Sequence, residues 1–254
     1  MADRPEVQQA AAANSSENFR IAMQSNFQDA VLDQMDTSTE ITKNYLDNEG
    51  FAGDVLDAYM PLLQTKAKVA RQQHCPIGEL LGRKEDAWLE LKSTFHVEAD
   101  TGVPHKGVET AAIKTVAAFL NSYDGGTLLL GVAEDEEGSG IPFGLEGDYA
   151  RYHKDGKGDD DMFMLAFNDK LISSLGAAAV ANVTTEIYTV DGKDICRVHV
   201  KPSGFPVDAK VVIIDKKDQH IKQTNRYARL NNKTHKFQSN DEWEKFKSQR
   251  WPGA

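Results

Sequence analysis

The stretch from Ile113 to Val132 constrains the fold more than any other part of the chain. Apolar residues recur at helical spacing as far as Asn121, a glycine pair follows at Gly125-Gly126, and Thr127 to Val132 is apolar without a break. An uninterrupted apolar run of this length reads as a strand covered on both faces. Upstream, Trp88 to Thr94 alternates as a strand does, with Leu89 and Leu91 on one face and Trp88, Glu90 and Lys92 on the other. Between them a helix is predicted over residues 107 to 122, burying Val108, Ala112, Val116 and Phe119 and stopped by left-handed glycines. The centre of the chain is therefore a strand–helix–strand unit.

Other elements gather around this unit. Ile77 to Leu81 predicts a short helix and Asp160 to Leu175 a longer one. Val183–Val190 and Ile195–Val200 flank Asp191-Gly192, a pair that accepts positive φ and so predicts a hairpin. Short strands are expected at Val211–Ile214 and Arg226–Leu230, then a last helix capped by Asn240 or Asp241. Before Pro76 the pattern is helical. Phe19, Met23, Phe27, Val31 and Met35 form one stripe, and further helices are expected near 39–47 and 51–72. Roughly the first 14 residues have no periodic apolar face and are expected to be disordered. The predicted organisation is an N-terminal helical segment, 1–75, and an α+β domain, 76–254, with a mixed sheet flanked by helices and a C-terminal helix.

Charge limits the functions open to such a chain. The formal net charge is −10, whereas non-specific nucleic-acid binding depends on lysine and arginine displacing phosphate counterions. The excess is uneven: 133–162 is strongly acidic, while 206–254 carries eleven lysines and arginines against six acids. Any nucleic-acid contact is expected on the C-terminal part. Two widely spaced cysteines, Cys75 and Cys196, fit a reducing cytoplasm and provide no zinc framework. No apolar run nears the ~20 residues of a membrane span, and the first residues lack a signal-peptide pattern. The seven histidines show no zinc-binding spacing, and neither a phosphate loop nor a hydrolase elbow is present.

Glu85 and Glu90 lie five apart, so they converge only if Glu85 sits in the turn before the strand. A third acid from the run Glu134 to Glu137 would complete an oxygen site for Mg²⁺ or Mn²⁺, able to polarise a phosphate and activate water. Lys92, on the face of Glu90, would steady phosphate charge. The same spacing also fits solvated residues on an exposed sheet face, and the acidic run also fits an ordinary turn. The segment Arg226-Tyr227-Ala228-Arg229, followed by Asn231, Asn232 and Lys233, combines types that contact phosphates and stack on bases. It fits a protective basic edge strand equally well.

These blocks, in this order, resemble the Schlafen AlbA-like domain. The correspondence runs through Glu85 to Lys92, Ala118-Phe119-Leu120-Asn121 with Gly125-Gly126, Leu130-Gly131-Val132 with Glu134, and Tyr227 through Arg229 to Thr234. It covers about residues 77 to 238. The resemblance implies a nucleic-acid-binding domain for DNA or structured RNA, with Lys92, Arg226, Tyr227, Arg229, Asn232 and Lys233 as contacts. The family's nuclease branch implies a divalent-metal endoribonuclease acting on tRNA-like RNA. Glu85, Glu90 and Glu134 would then be its metal ligands and catalytic acids, with Lys92 assisting. Glutamate at 134 stands where that branch has aspartate, and Asp135 could substitute. Asn231 stands where glycine is usual. Longer members pair the core pseudo-symmetrically, which implies a homodimer for a single copy. The N-terminal helices are similar to a helical region of restriction motor subunits, pointing to bacterial defence or regulation.

Overall fold

The computed structural model describes residues 75–214 and 219–252 of the 254-residue chain. The helices expected before residue 75 lie outside the described residues. Among the described residues the order is α1 (Ile77–Leu81), β1 (Leu89–Lys92), α2 (Lys106–Asn121), β2 (Gly126–Leu130), β3 (Val132–Glu134), β4 (Gly140–Pro142), α3 (Glu146–Tyr152), α4 (Asp159–Leu175) and α5 (Ala177–Val180). There follow β5 (Val183–Val190), β6 (Lys193–Val200), β7 (Asp208–Ile214), β8 (His220–Leu230), β9 (Lys233–Lys236) and α6 (Asn240–Arg250). The architecture is the expected α+β, with a mixed four-stranded sheet in the order β1-β2-β6-β5. β1 and β2 are parallel, as a helical crossover requires, and β6 runs antiparallel to β2 and β5. Hairpin β3–β4 and a three-stranded sheet β7-β8-β9 complete it. No described helix is long and apolar enough to cross a membrane.

β2 is central in its sheet and wholly buried, which is why its sequence carries no polar alternation. The helix α2 packs against both sheets. It is enclosed more completely than a single apolar face predicts: Ala117, Ala118, Phe119, Leu120 and Asn121 are all buried, while Val108 is only half-buried. A buried polar side chain must find partners. Asn121 does so by donating to the carbonyls of Val207 (2.9 Å) and Tyr227 (2.8 Å) and accepting from Val207 N (2.9 Å). The asparagine thus fastens the helix end to β8 and to the residue preceding β7. On another side, Phe163 and Phe167 of α4 pack on Phe95, the rings of Phe95 and Phe167 meeting edge-on at 4.9 Å.

Several local expectations are corrected. The helix stops at Asn121 with Ser122 in extended conformation, before the glycine pair. Gly125 alone of the pair is left-handed (φ +72°). Gly126 opens β2 and makes room for a ring, since a Cβ there would lie 2.3 Å from Phe119. The apolar strand does not run through Val132: Gly131 (φ +80°) ends it and turns the chain into β3. β7 and β8 are longer than expected. Ser239 caps α6, its hydroxyl accepting from Glu242 N at 3.1 Å, in place of Asn240 or Asp241. The hairpin at Asp191 (φ 52°) and Gly192 (φ 74°) forms as predicted.

Candidate functional site

Strand alternation buries Leu89 and Leu91 and sends Glu90 and Lys92 to the other face of β1. The loop before the strand is organised by Asp86, whose Oδ1 accepts from the N–H groups of Trp88 (2.8 Å) and Leu89 (2.9 Å). Glu85 folds back along the strand, and its Oε1 accepts from Leu91 N at 2.8 Å. Glu85 and Glu90 therefore do converge, on the ammonium of Lys92. Its Nζ lies 2.7 Å from Glu90 Oε1 and 3.4 Å from Glu85 Oε1, and it donates to Leu91 O at 2.7 Å.

The second partner of Glu90 comes from β8. Arg229 Nη1 reaches Glu90 Oε2 at 2.5 Å, and Nη2 donates to Asp86 O at 2.6 Å. The guanidinium lies 5.4 Å from the Phe119 ring centre, and its side chain is 2% exposed. Two carboxylates and two cations thus alternate as Glu85, Lys92, Glu90 and Arg229, joining β1 to the three-stranded sheet. Charge-assisted bonds of this kind hold well only when each member is satisfied.

The expected third acid is not part of this group. Glu134 is exposed at the end of β3 and has no ion pair among the described residues. Asp135 is engaged in its own turn, Oδ1 accepting from Glu137 N (2.9 Å) and Ser139 N (2.8 Å). Gly131 ends β2 and turns the acidic run into the β3–β4 hairpin, which packs beside the loop of Glu85, with Lys84 bridging Ser139 next to Gly140, the partner of Glu134. Among the described residues no group of three or more His, Cys, Asp or Glu side chains is arranged to hold a metal ion. Each oxygen of Glu90 faces one cation, Lys92 on Oε1 and Arg229 on Oε2. Glu85 and Glu90 are engaged by Lys92 and Arg229 in this structure.

The expected nucleic-acid contacts also separate. Arg226 and Arg229 are three apart and leave β8 on opposite faces. Arg229 is buried as described, and Tyr227 is 2% exposed within the main core. Arg226 is half-buried; it bonds to Asp208 Oδ1 (3.1 Å) and Asn240 Oδ1 (2.9 Å) beside the Trp243 ring. Asn232 and Lys233 are exposed at the β8–β9 turn, where Asn231 takes φ 54° in the place usually given to glycine. The face that Arg226 shares holds residues the sequence did not single out. Lys210 pairs with Thr224, Val212 with Lys222, and Ile214 with His220. Lys210, Thr224, Lys222 and His220 are all exposed. Cross-strand pairing puts them on one side, a placement invisible until the β7–β8 register is known.

A second polar cluster was also missed. Glu109, in the first turn of α2, is buried against His96, with Lys106 at 2.9 Å and Lys170 at 2.8 Å. Burial pushes its carboxyl up, but hydrogen bonds from the two lysines outweigh this and hold it below the usual range. Nearby, Asp148 is fully buried and accepts from Phe95 N (2.9 Å) and His96 N (2.7 Å). There burial prevails and raises the carboxyl above its ordinary value. The Lys106–Glu109 spacing of three on one helix was the available signal.

The fold and this ion-paired strand edge define a small α+β class in which a parallel strand–helix–strand unit is clamped to a second sheet through an arginine. Residues 85–238 match the family model described as Schlafen, AlbA_2, and the chain belongs to that family. No curated protein matches it. Among solved structures, that of the DIP2311 protein from Corynebacterium diphtheriae is similar, at 13% identity and a TM-score of 0.43. The match covers 74% of this chain and 33% of that one, so the chain spans about a third of that protein's length.

Proposed function

We propose that this protein binds nucleic acid, DNA or structured RNA, through the outward face of β7–β8. The observation that supports this reading is the gathering of Lys210, Lys222 and His220, with Thr224, on one exposed sheet face of a chain whose net charge is −10. Lysines on an extended ribbon match the spacing of a phosphate backbone, and threonine adds a neutral donor. Membership of the family supports the same reading. Arg226 sits at the inner end of this face and contributes less, because Asp208 and Asn240 already engage it.

The test is fluorescence anisotropy of the full chain with labelled tRNA and with a short DNA duplex, across a range of salt. Lys210→Ala with Lys222→Ala is expected to weaken binding about tenfold and to lower the log–log salt slope by roughly two. An unchanged slope in the double variant would remove this face from the interface.

A further inference from the structure

The outward face of β7–β8 ends in a cleft. Strand alternation puts Lys222, Thr224, Arg226 and Ala228 on this one face of β8. At Ala228 the face is covered by Phe237 and by Trp243 and Trp251 of the C-terminal segment, whereas Thr224 is exposed. Between the start of α6 and the two strands lies a space of about 450 Å³, whose lining includes Asp208, Thr224, Arg226 and Asn240. Small-molecule sites span roughly 300–1,000 Å³. Lys236 also borders the space, but it is opposite Tyr227 and so leaves from the reverse face of the ladder.

Arg226 is held from three directions here. Its Nε donates to Asp208 Oδ1 at 3.1 Å and its Nη1 to Asn240 Oδ1 at 2.9 Å. The guanidinium stands over the buried Trp243 ring, 5.4 Å from its centre. With its rim engaged and one side covered, it offers a ligand in the cleft its remaining flat side. Guanidinium planes of this kind stack on unpaired bases.

The groups around the rim select what stacks. Arginine only donates, so Asn240 turns its oxygen to Arg226 and keeps its NH₂ to donate. That NH₂ has no hydrogen bond among the described residues, and neither has Asp208 Oδ2. A carboxylate only accepts. A phosphate has no donor for it and carries the same sign of charge, whereas a nucleobase brings donors without charge. Guanine alone among the common bases sets two donors side by side, N1–H and the 2-amino group, to match a carboxylate. Its O6 and N7 accept from an amide. The two donors are free only when the guanine is unpaired.

We propose that this cleft receives an unpaired guanine, stacked on Arg226 and read by Asp208 and Asn240. The proposal rests on the nucleic-acid reading and narrows its target to a strand with an exposed guanine. The Asp208–Arg226 pair is the next on this face after Lys210–Thr224, which leaves the backbone of that strand at the lysines.

The experiment is fluorescence anisotropy of the full chain with labelled single-stranded uridine octamers carrying one central guanine, hypoxanthine, adenine or cytosine, at one salt concentration. The wild type is expected to prefer guanine to adenine and cytosine about tenfold. Hypoxanthine, which lacks the 2-amino group, is expected in between. Asp208→Asn is expected to abolish the preference while overall affinity holds or rises, because a negative charge has gone. Arg226→Met is expected to bring the guanine octamer down to the affinity of the others. Equal affinity for all four octamers in the wild type, or a guanine preference untouched by Asp208→Asn, would overturn the cleft. If that equal binding still weakens in Lys210→Ala with Lys222→Ala, the β7–β8 interface stands without it. Failure to bind any octamer, with tRNA still bound, would likewise overturn the cleft alone. A guanine preference that Asp208→Asn removes, at an affinity the lysine double variant leaves unchanged, would instead overturn the interface and keep the cleft.

Discussion

Arg229 shows how much one side chain's surroundings decide its work. From the sequence it belongs with Arg226 as a basic strip. On the strand the two diverge, and Arg229 becomes the buried counter-ion of Glu90. Removing Arg229 takes its buried cation from Glu90, which keeps Lys92 at 2.7 Å, and losing one partner of such a pair costs about 3 kcal/mol. Arg229→Met is therefore expected to lower unfolding stability by about that amount in urea titration. Glu90→Met combined with Arg229→Met is expected to recover most of the loss, since the pair then leaves together. A single variant as stable as wild type would show that the guanidinium is not holding the sheets. The alternation of Leu89, Glu90, Leu91 and Lys92 was legible in sequence, as was the approach of Glu85. That Glu90 is answered internally was not, because its partner lies 139 residues away.

Elements were legible in proportion to their length and period. Sixteen residues of α2 and seventeen of α4 carry enough repeats to read, and the Asp191-Gly192 turn announces its hairpin. β3 and β4, with three residues each, hold no measurable period, and β9 is the polar run Lys-Thr-His-Lys. Ser239, Asn240 and Asp241 are all good caps in succession, so only geometry could choose among them. The breaks between elements matter most for the site. Gly131, read as part of a strand, is the turn that carries Glu134 into the hairpin beside the loop of Glu85. Gly125 has a comparable role where the chain enters β2. Its φ of +72° strains any other residue, and a Cβ would fall 2.1 Å from Val200 O, a backbone atom that cannot swing away. Gly192 has a similar φ, +74°, but open space around it. Gly192→Ala is expected to cost about 1 kcal/mol, the conformational penalty alone. Gly125→Ala is expected to cost at least about twice that, because strand β6 must shift as well. Chemical denaturation of the two variants side by side checks this, and equal losses would rule out the clash.

For the whole molecule, charge placement supports the proposal of a chain that holds nucleic acid over one that cuts it. The acidic run is displayed on a hairpin, the bases line the three-stranded sheet, and the half-buried carboxylates of the strand edge are balanced by Lys92 and Arg229. A divalent ion entering there would have to compete with two cations already within bonding distance of Glu90, one of them shielded from water. Displacing Arg229 from Glu90 would leave a buried guanidinium without its carboxylate, at a cost of several kcal/mol. Nucleic-acid retention is accordingly expected to be the same in EDTA and in Mn²⁺, with tRNA recovered intact from both on a denaturing gel. Glu90→Gln is expected to lower thermal stability and to leave RNA integrity untouched. The opposite result, fragments that appear only with Mn²⁺ and vanish in Glu90→Gln, would mean that Lys92 and Arg229 yield to metal when substrate is bound. The salt-bridged arrangement would then be the resting form of a nuclease.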